Sequence, residues 1–237
     1  MERDSTNSLE QGMKHQSIAI DGPAGAGKST LARALARELG FLYVDTGAIY
    51  RTVALKVLRT GGDPASPEQV VPVLAALDIR LEHGPDGEQR MYLDGEDVSR
   101  AIREHRVSGA ASQVAAIPQV RAFLLDFQRR QAEEHDIVMD GRDSGTVVLP
   151  GADVKIFPPA APEARAHPRL RELEQRGEQA DFDTILRDIR LRDQQDESRA
   201  AAPLRQAEDA VLLDTTSLNL EESLKALLSL VKERIAQ

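Results

Sequence analysis

"SIAIDGPAGAGKSTLARALARELG", residues 17–40, runs from an apolar pentapeptide through a glycine-rich loop into a segment of helical spacing. The run 17–21 reads as a buried strand, and "TLARALARELG" (30–40) as a helix closed at Gly40, a favourable C-terminal cap. Between them "GPAGAGKS" (22–29) fits G-x-x-x-x-G-K-[ST]. Glycines there let backbone N–H groups curl around a phosphate chain at the positive end of a helix. Lys28 then reaches the β- and γ-phosphates, and the Ser29 hydroxyl ligates Mg²⁺. By chance the loose pattern arises in about one chain of this length in a hundred, and the strand and helix flanks lower that further. Phosphate-loop proteins nevertheless include motors, switches, transporters and small-molecule kinases, so the rest of the chain must choose.

Outward from this loop, "FLYVD" (41–45) reads as a second strand and "GAIYRTVALKVLRTGG" as a helix stopped by paired glycines. A β-loop-α-β-α opening predicts an α/β domain with a parallel sheet. The pattern changes between about 64 and 100. A short helix (67–77) is followed by "LDIRLEH", "GPDGE" and "QRMYLDG", which read as strand, turn, strand. Such a hairpin is foreign to a parallel sheet and predicts an inserted subdomain. Helical spacing returns at 104–116 and at 118–134, where Pro118 suits a helix N-terminus. "DIVMD" (136–140), "DVKIF" (153–157) and "AVLLD" (210–214) read as three further strands, completing five. Charged helices are expected from Glu163 to about Arg176 and from Asp183 to Arg199, broken at Gly177. The last helix, "NLEESLKALLSLVKERI", places Asn219 and Glu222 as a capping box.

Composition narrows the choice. The 237 residues suffice for a sizeable core, and the net charge of −9 argues against broad nucleic-acid binding. Any anionic ligand must be held by local cations. The chain has no cysteine, and its five histidines are scattered without metal-ligand spacing, so disulfides and a structural zinc are not expected. No apolar run approaches a membrane span, and the polar N-terminus (1–16) lacks a signal-peptide segment and reads as a loose tail. A cytoplasmic protein is expected.

A phosphoryl-transfer site needs donor and acceptor in line and cations around the oxygens between them, hence arginines converging from separate segments. Three segments offer them. Arg51 in "DTGAIYR", with Tyr50 beside it, lies just past the second strand, near the edge where open parallel sheets bind substrates. Arg142 in "DGRDSG" follows Asp140, which ends the strand after the hairpin, where such enzymes keep an acid near Mg²⁺. In "LRDQQDESR", Arg192, Asp196 and Arg199 share one helical face. Each has a plainer reading. Arg51 can be a solvated helix residue, Asp140 and Asp143 can bond turn amides, and the third segment can be a salt-bridged surface helix.

Taken together, "IAIDGPAGAGKST", "DTGAIYR", "LDGEDVSRAIR", "ASQVAAIPQVR", "DGRDSGTVVLPGADVKIF" and "RDQQDESRAAAPL" resemble the bacterial cytidylate kinases, within the nucleoside monophosphate kinases. The likeness runs from about Ser17 to the C-terminal helix. It implies transfer of the ATP γ-phosphate to CMP or dCMP, with Mg²⁺ as cofactor, by a chain expected to be a monomer binding neither nucleic acid nor membrane. It implies a phosphate-loop α/β sandwich in a single kinase domain (17–237): a core (17–61, 104–157 and 200–237), an NMP-binding insertion (about 62–103) and a lid (about 158–199).

Carried over by position, ATP falls to Gly22, Pro23, Ala24, Gly25, Ala26, Gly27, Lys28, Ser29 and Thr30, with Arg165 and Arg169 of the lid. The resemblance assigns the acceptor phosphate to Arg51, Arg142 and Arg199, with Thr46 and Tyr50 close to the nucleotide. Cytosine falls to Ser112, Arg121 and Asp143, and the sugar to Arg192 and Asp196. Lys28, Arg142 and Arg192 are implied as catalytic, and Ser29 and Asp140 as metal-side residues. Cytosine offers an amino donor at N4 and an acceptor at N3; uracil reverses both, so a carboxylate and a guanidinium facing that edge discriminate between them.

Two departures stand out. Thr46 replaces the serine of some relatives, and both hydroxyls can donate to a phosphate. Pro168 lies inside the expected lid helix, where proline costs about 3 kcal/mol, so that helix either starts later or is altered, and the placement of Arg165, Arg169 and Arg171 depends on which. Two rivals remain: a kinase for another monophosphate or small phosphorylated metabolite, and a nucleotide-dependent switch.

Overall fold

Every residue of β1 (Ser17–Asp21) is buried, as expected of a strand at the centre of a sheet covered on both faces. The computed structural model describes residues 15–175, 177, 179, 181–215 and 218–235. Residues 1–14 of the expected tail lie outside that set. The other two join the fold: Gln16 N donates to Asp136 Oδ1 at 2.7 Å, and the Gln16 carbonyl accepts from Ile137 N at 2.9 Å.

The loop after β1 leads into α1 (Lys28–Leu39), which ends at Gly40 with φ of 71°. That left-handed conformation satisfies the helix's last carbonyls at little cost only for glycine. β2 (Leu42–Asp45) follows, and Asp45 caps α2 (Thr46–Arg59) by accepting from Ala48 N at 2.9 Å. α3 (Pro67–Leu74) stops three residues short of the expected 77; Pro72 lies within it and supplies no amide to extend the ladder. Then come β3 (Ile79–His83) and β4 (Gln89–Leu93), paired antiparallel, with a two-residue β5 (Glu96–Asp97) that the sequence pattern did not reveal.

The insertion is fastened to the end of β2. His83 Nε2 lies 2.8 Å from the Tyr43 carbonyl, and Gln89 bonds both the Asp45 amide (2.6 Å) and its carbonyl (3.3 Å). Beyond a short 3-10 turn (Ala101–Arg103), α4 (His105–Ala115) and α5 (Pro118–Glu134) lead into β6 (Ile137–Gly141). Ser144–Val148 forms a single π-turn, and β7 (Val154–Phe157) completes the inner strands. The two charged helices expected next form as α6 (Pro162–Gln175) and α7 (Phe182–Ser198). Only Val211–Leu212 of the expected 210–214 pairs, as β8 at the sheet edge. In α8 (Leu220–Ile235) the expected capping box forms: Glu222 N donates to Asn219 Oδ1 at 3.0 Å and Asn219 N to Glu222 Oε2 at 2.9 Å.

The parallel sheet has the order β2-β6-β1-β7-β8. Its two faces bury two cores. Ile137 and Met139 of β6 pack with α2, α4 and α5, whereas Val138 between them packs with Ile18, Ile20, α1 and α8. The alternation is the period of two of a strand. Met91 and Leu93 of the hairpin join the first core, so the insertion shares the main hydrophobic interior. No helix among the described residues is long and apolar enough to cross a membrane.

Pro168 sits inside α6, so that helix does not start later than expected. Proline leaves the Ala164 carbonyl without its ladder partner. Anchors on either side hold the helix in place: Ala166 is fully buried, Arg165 is buried, and the His167 ring packs on Phe182 of α7 with centroids 4.6 Å apart.

At the carboxyl end of β6 the backbone passes close to its neighbours. A Cβ on Gly141 would fall on the Ser144 hydroxyl and lie 2.9 Å from Thr46 Oγ1 and 3.2 Å from Asp21 Oδ1. Gly141→Ala is therefore expected to lower stability by roughly 1–3 kcal/mol, the usual cost of overpacking. Urea unfolding of the two proteins checks this, and an unchanged midpoint would show that the loop yields freely.

Candidate active site

The phosphate loop leaves β1 at Gly22 and enters α1 at Lys28, with Gly25 and Gly27 at φ of 76° and 73°. Its amides thus gather at the N-terminus of α1, where the helix dipole favours anions. Lys28 is buried; its Nζ lies 3.5 Å from the Pro23 carbonyl and 3.4 Å from Asp140 Oδ1. Burial, and then the nearby Arg142 guanidinium, push its amine down to about 8, against the pull of Asp140. Thr30 lies exposed at the start of the same helix.

Asp140, at the end of β6, is the meeting point of the donor side. Its Oδ2 accepts from the Ser29 hydroxyl and, at 3.2 Å, from Tyr43 OH; its carbonyl accepts from Thr46 Oγ1 at 2.9 Å. The Thr46 hydroxyl is thereby tied to β6 in this structure. Asp140 Oδ1 is buried and accepts no hydrogen bond. A hydroxyl and a carboxylate with a spare lone pair suit Mg²⁺, which prefers few protein ligands and completes its shell with phosphates and water. Among the described residues no cluster of three or more His, Cys, Asp or Glu side chains is placed to hold a metal ion.

The arginines named from sequence come together beside this point. Arg51 Nη2 donates to Asp45 Oδ2 at 2.8 Å, and Arg142 Nε to Asp196 Oδ2 at 2.9 Å. Arg199 Nε donates to the Asp196 carbonyl at 3.3 Å. Arg192 feels the fields of Arg142 and Arg51; burial first and then Arg142 hold it below the usual guanidinium range. Burial likewise depresses Arg199, against the attraction of Asp196. Arg51 Nε, Arg192 Nε and Arg199 Nη2 are buried without a hydrogen-bond partner. Buried cationic donors left unpaired are costly, and a dianion placed among them supplies what they lack.

On the other side of Arg142, Arg121 of α5 forms a buried ion pair with Asp143 Oδ2, donates to the Ala115 carbonyl at 3.2 Å, and stands over the Tyr50 ring at 5.3 Å. Burial opposes the charge of Arg121, but Tyr50 and Asp143 outweigh it and hold it above its usual value. Ser112 is half-buried on α4. The donor point and the Arg121–Asp143 pair are thus only three residues apart along β6 and its turn.

From the lid, Arg165 reaches the phosphate loop. It donates to the Ala24 carbonyl at 2.9 Å and holds both oxygens of Asp193 on α7, one of them at 3.0 Å. Arg169 behaves differently: it pairs with Glu172 one turn along its own helix, at 2.7 Å. Among the described residues, Arg171 donates to the His167 carbonyl, at 3.5 Å. Of these three arginines, Arg165 is the one seen bonded to the loop.

Sequence reasoning missed four contributors. Tyr43 and Asp45 were read as part of the strand 41–45, and Arg129 as part of the helix 118–134, with no role given to their side chains. Asp21 had a visible signal, a carboxylate closing an apolar strand directly before the glycines. It is buried, accepts from Ser144 N at 2.8 Å and from Gly145 N at 2.6 Å, and burial pushes its carboxyl up to about 6 against the pull of those amides.

The chain is similar to known proteins over most of its length. A family model described as "Cytidylate kinase" matches residues 18–233. The cytidylate kinase of Caldicellulosiruptor bescii is 48% identical over 218 residues, spanning 92% of this chain and 96% of that protein. That of Desulfitobacterium hafniense is 47% identical over 222 residues, spanning 94% and 95%. A solved structure of an uncharacterized protein from Eubacterium ventriosum shares the fold at 14% identity, with a TM-score of 0.51 over 93% of this chain and 99% of that one. With a glycine-rich loop of phosphate-binding pattern, arginines converging beside it and this match over nearly its whole length, the chain belongs to the cytidylate kinase family.

Proposed function

We propose that the protein transfers the γ-phosphate of ATP to CMP or dCMP, forming ADP and CDP or dCDP. The observation that carries the acceptor is the buried Arg121–Asp143 pair under Tyr50, one residue from Arg142. Arg121 occupies Asp143 Oδ2, which leaves Oδ1 to accept from the cytosine N4 amino group, while guanidinium N–H groups donate to N3 or O2. Uracil would set its N3–H and O4 against the wrong partners, a mismatch worth a few kcal/mol. Ser112 on α4 joins this pocket.

In this reading the amides of 22–30 and Lys28 hold the donor phosphates, with Arg165 fixing the loop and Arg169 entering only once ATP draws it from Glu172. Arg51, Arg142 and Arg199 take the acceptor phosphate, and Asp196 and Arg192 border the sugar. Each of these arginines but Arg192 rests on a carboxylate or carbonyl in the free protein, so the acceptor exchanges partners for groups already aimed. Arg192, unpaired at Nε, then faces the charge that develops on the transferring group. Mg²⁺, when bound by Ser29 and through water by Asp140, would neutralise charge on the β- and γ-oxygens. Thr46 supports the Asp140 backbone and donates to the acceptor only if it leaves that carbonyl.

The same reading divides the chain into a core (17–61, 104–157 and 200–237), an NMP-binding insertion (62–103) and a lid (158–199). A monomer acting in the cytoplasm completes this reading. The stated alternative, a kinase for another monophosphate, lacks an observation of its own.

Two measurements test this. With ATP and a panel of nucleoside monophosphates, CMP and dCMP are expected to turn over at least about a hundredfold more efficiently than UMP. Asp143→Asn should erase most of that preference; equal turnover of CMP and UMP by the wild type would overturn the base assignment. Lys28→Met should cut transfer by about a hundredfold or more while the protein still folds. The sign for stability follows from Lys28 titrating near 8 when folded and at 10.5 when not. The folded state then binds its proton less tightly, so burial of the charged amine costs stability below pH 8, and that cost fades as pH rises toward 10.5. The wild type should therefore gain stability relative to Lys28→Met as pH rises from 8 toward 10.5, whatever offset the lost Asp140 contact leaves at neutral pH; melting both proteins across that range checks the slope.

A further inference from the structure

Residues 143–149, which carry the base-reading carboxylate, lack the support of a regular element. Leu149 N bonds the Ser144 carbonyl at 2.7 Å and Val148 N the Asp143 carbonyl at 3.1 Å, a turn one residue wider than an α-helix. A turn this short leaves amides unpaired where it begins and carbonyls where it ends, as a helix does. Here two side chains from different elements meet those needs. Asp21, at the end of β1, accepts from the amides of Ser144 and Gly145, at 2.8 and 2.6 Å. Arg129 of α5 donates from Nε to the Val148 carbonyl at 2.9 Å and from Nη2 to the Val147 carbonyl at 3.1 Å. A carboxylate thus grips the start of the turn and a guanidinium its end.

Neither side chain reaches the ligand-facing groups, yet the turn between them begins immediately after Asp143. The close packing at its base leaves little slack. A Cβ on Gly145 would sit 3.1 Å from Lys155 Cδ and 3.5 Å from Ala19 Cβ, and Gly141 is crowded as described. Asp143 itself has φ of −141° and ψ of 20°, so its direction is set by the turn that follows and not by continuation of β6.

We propose that Asp21 and Arg129 are positioning residues for acceptor selectivity: by clamping the π-turn at both ends they hold the Asp143 carboxylate at the angle that distinguishes an amino group from a carbonyl on the pyrimidine edge. This rests on the reading of Asp143 given above. Asp21→Asn keeps the size but turns an N–H₂ toward one of the two amides. Arg129→Met keeps much of the length and removes both donors, while Arg129→Lys retains one. Arg129 bonds the carbonyls of Val147 and Val148, whereas Asp21 directly precedes Gly22 of the phosphate loop and feels the charge of Asp143, so the Arg129 variants are the cleaner probe of the turn.

The experiment is steady-state kinetics with CMP and with UMP at saturating ATP, for the wild type, Asp21→Asn, Arg129→Met and Arg129→Lys. The ratio of the two kcat/KM values does not depend on how much of a preparation is active, so it separates aim from mere loss of folded protein. The CMP-over-UMP ratio is expected to fall about tenfold or more in Asp21→Asn and Arg129→Met. KM for CMP should rise, KM for ATP should stay within about twofold, and Arg129→Lys should recover part of the ratio. Should Asp21→Asn fail to fold, the Arg129 pair decides alone. A wild type that prefers CMP, with variants that lose activity equally toward both acceptors, would overturn the clamp and leave the function intact. A wild type without preference for CMP would overturn the underlying reading of Asp143 and the clamp with it.

Discussion

The site is organised around one carboxylate, Asp140, which ends β6 within reach of groups from three other elements. Through it the hydroxyl of Ser29, the phenol of Tyr43 and the amine of Lys28 all converge on the carboxyl edge of the parallel sheet. Burial pushes the Tyr43 phenol far above its usual value, so it remains a donor throughout. β6 lies between β2 and β1, so its end is the point where the phosphate loop, the start of α2 and the loop after β6 face one another. Open parallel sheets bind ligands at this edge because the connections there splay apart.

Around that point the protein stores cations it cannot fully neutralise by itself. Arg51, Arg142, Arg165 and Arg121 each lean on a carboxylate, and Asp196 serves two arginines at once. The arrangement resolves a conflict posed by a net charge of −9, which offers no general attraction for a nucleotide. Local pairing keeps the guanidinium groups aimed before any ligand arrives, so less orientational freedom is lost on binding. It also explains why the acidic residues among the arginines matter: without Asp45 and Asp196, like charges would sit together in a half-buried cleft.

Much of this was legible in the sequence because it depends on local chemistry. The phosphate loop, the cap at Gly40, the box at Asn219 and the start of α5 at Pro118 are written in adjacent residues, and each forms as read. The hairpin was recognisable from its turn, and the parallel sheet from the alternation of strands and helices. What stayed hidden depends on tertiary proximity. Asp21 and Arg129 are 108 positions apart by their numbers and meet only across the turn they hold. Tyr43 gave no sign of reaching Asp140, since strand alternation says which face a residue takes but not what waits there. Pro168 argued for a helix that starts later or a lid that closes differently; the helix starts at Pro162, and the contacts of Arg165, Ala166 and His167 hold it there. Arg169, named from its position, turned out to have a nearer partner in Glu172.

Many of the bonds that shape the site run from a side chain to a backbone atom. Asp21 grips amides, Arg129 grips carbonyls, Thr46 holds the Asp140 carbonyl, and His83 and Gln89 fasten the hairpin to the backbone of β2. A backbone atom is present whatever residue occupies the position, so such a grip constrains the gripping side chain and leaves the gripped one to be constrained only by its other contacts. Val147, half-buried in the turn, can therefore be exchanged with the same scaffold inherited, whereas Tyr43 and Val148 keep further duties at Asp140 and in the core. The residue that touches the acceptor base can then change as a single step, with the frame around it already standing.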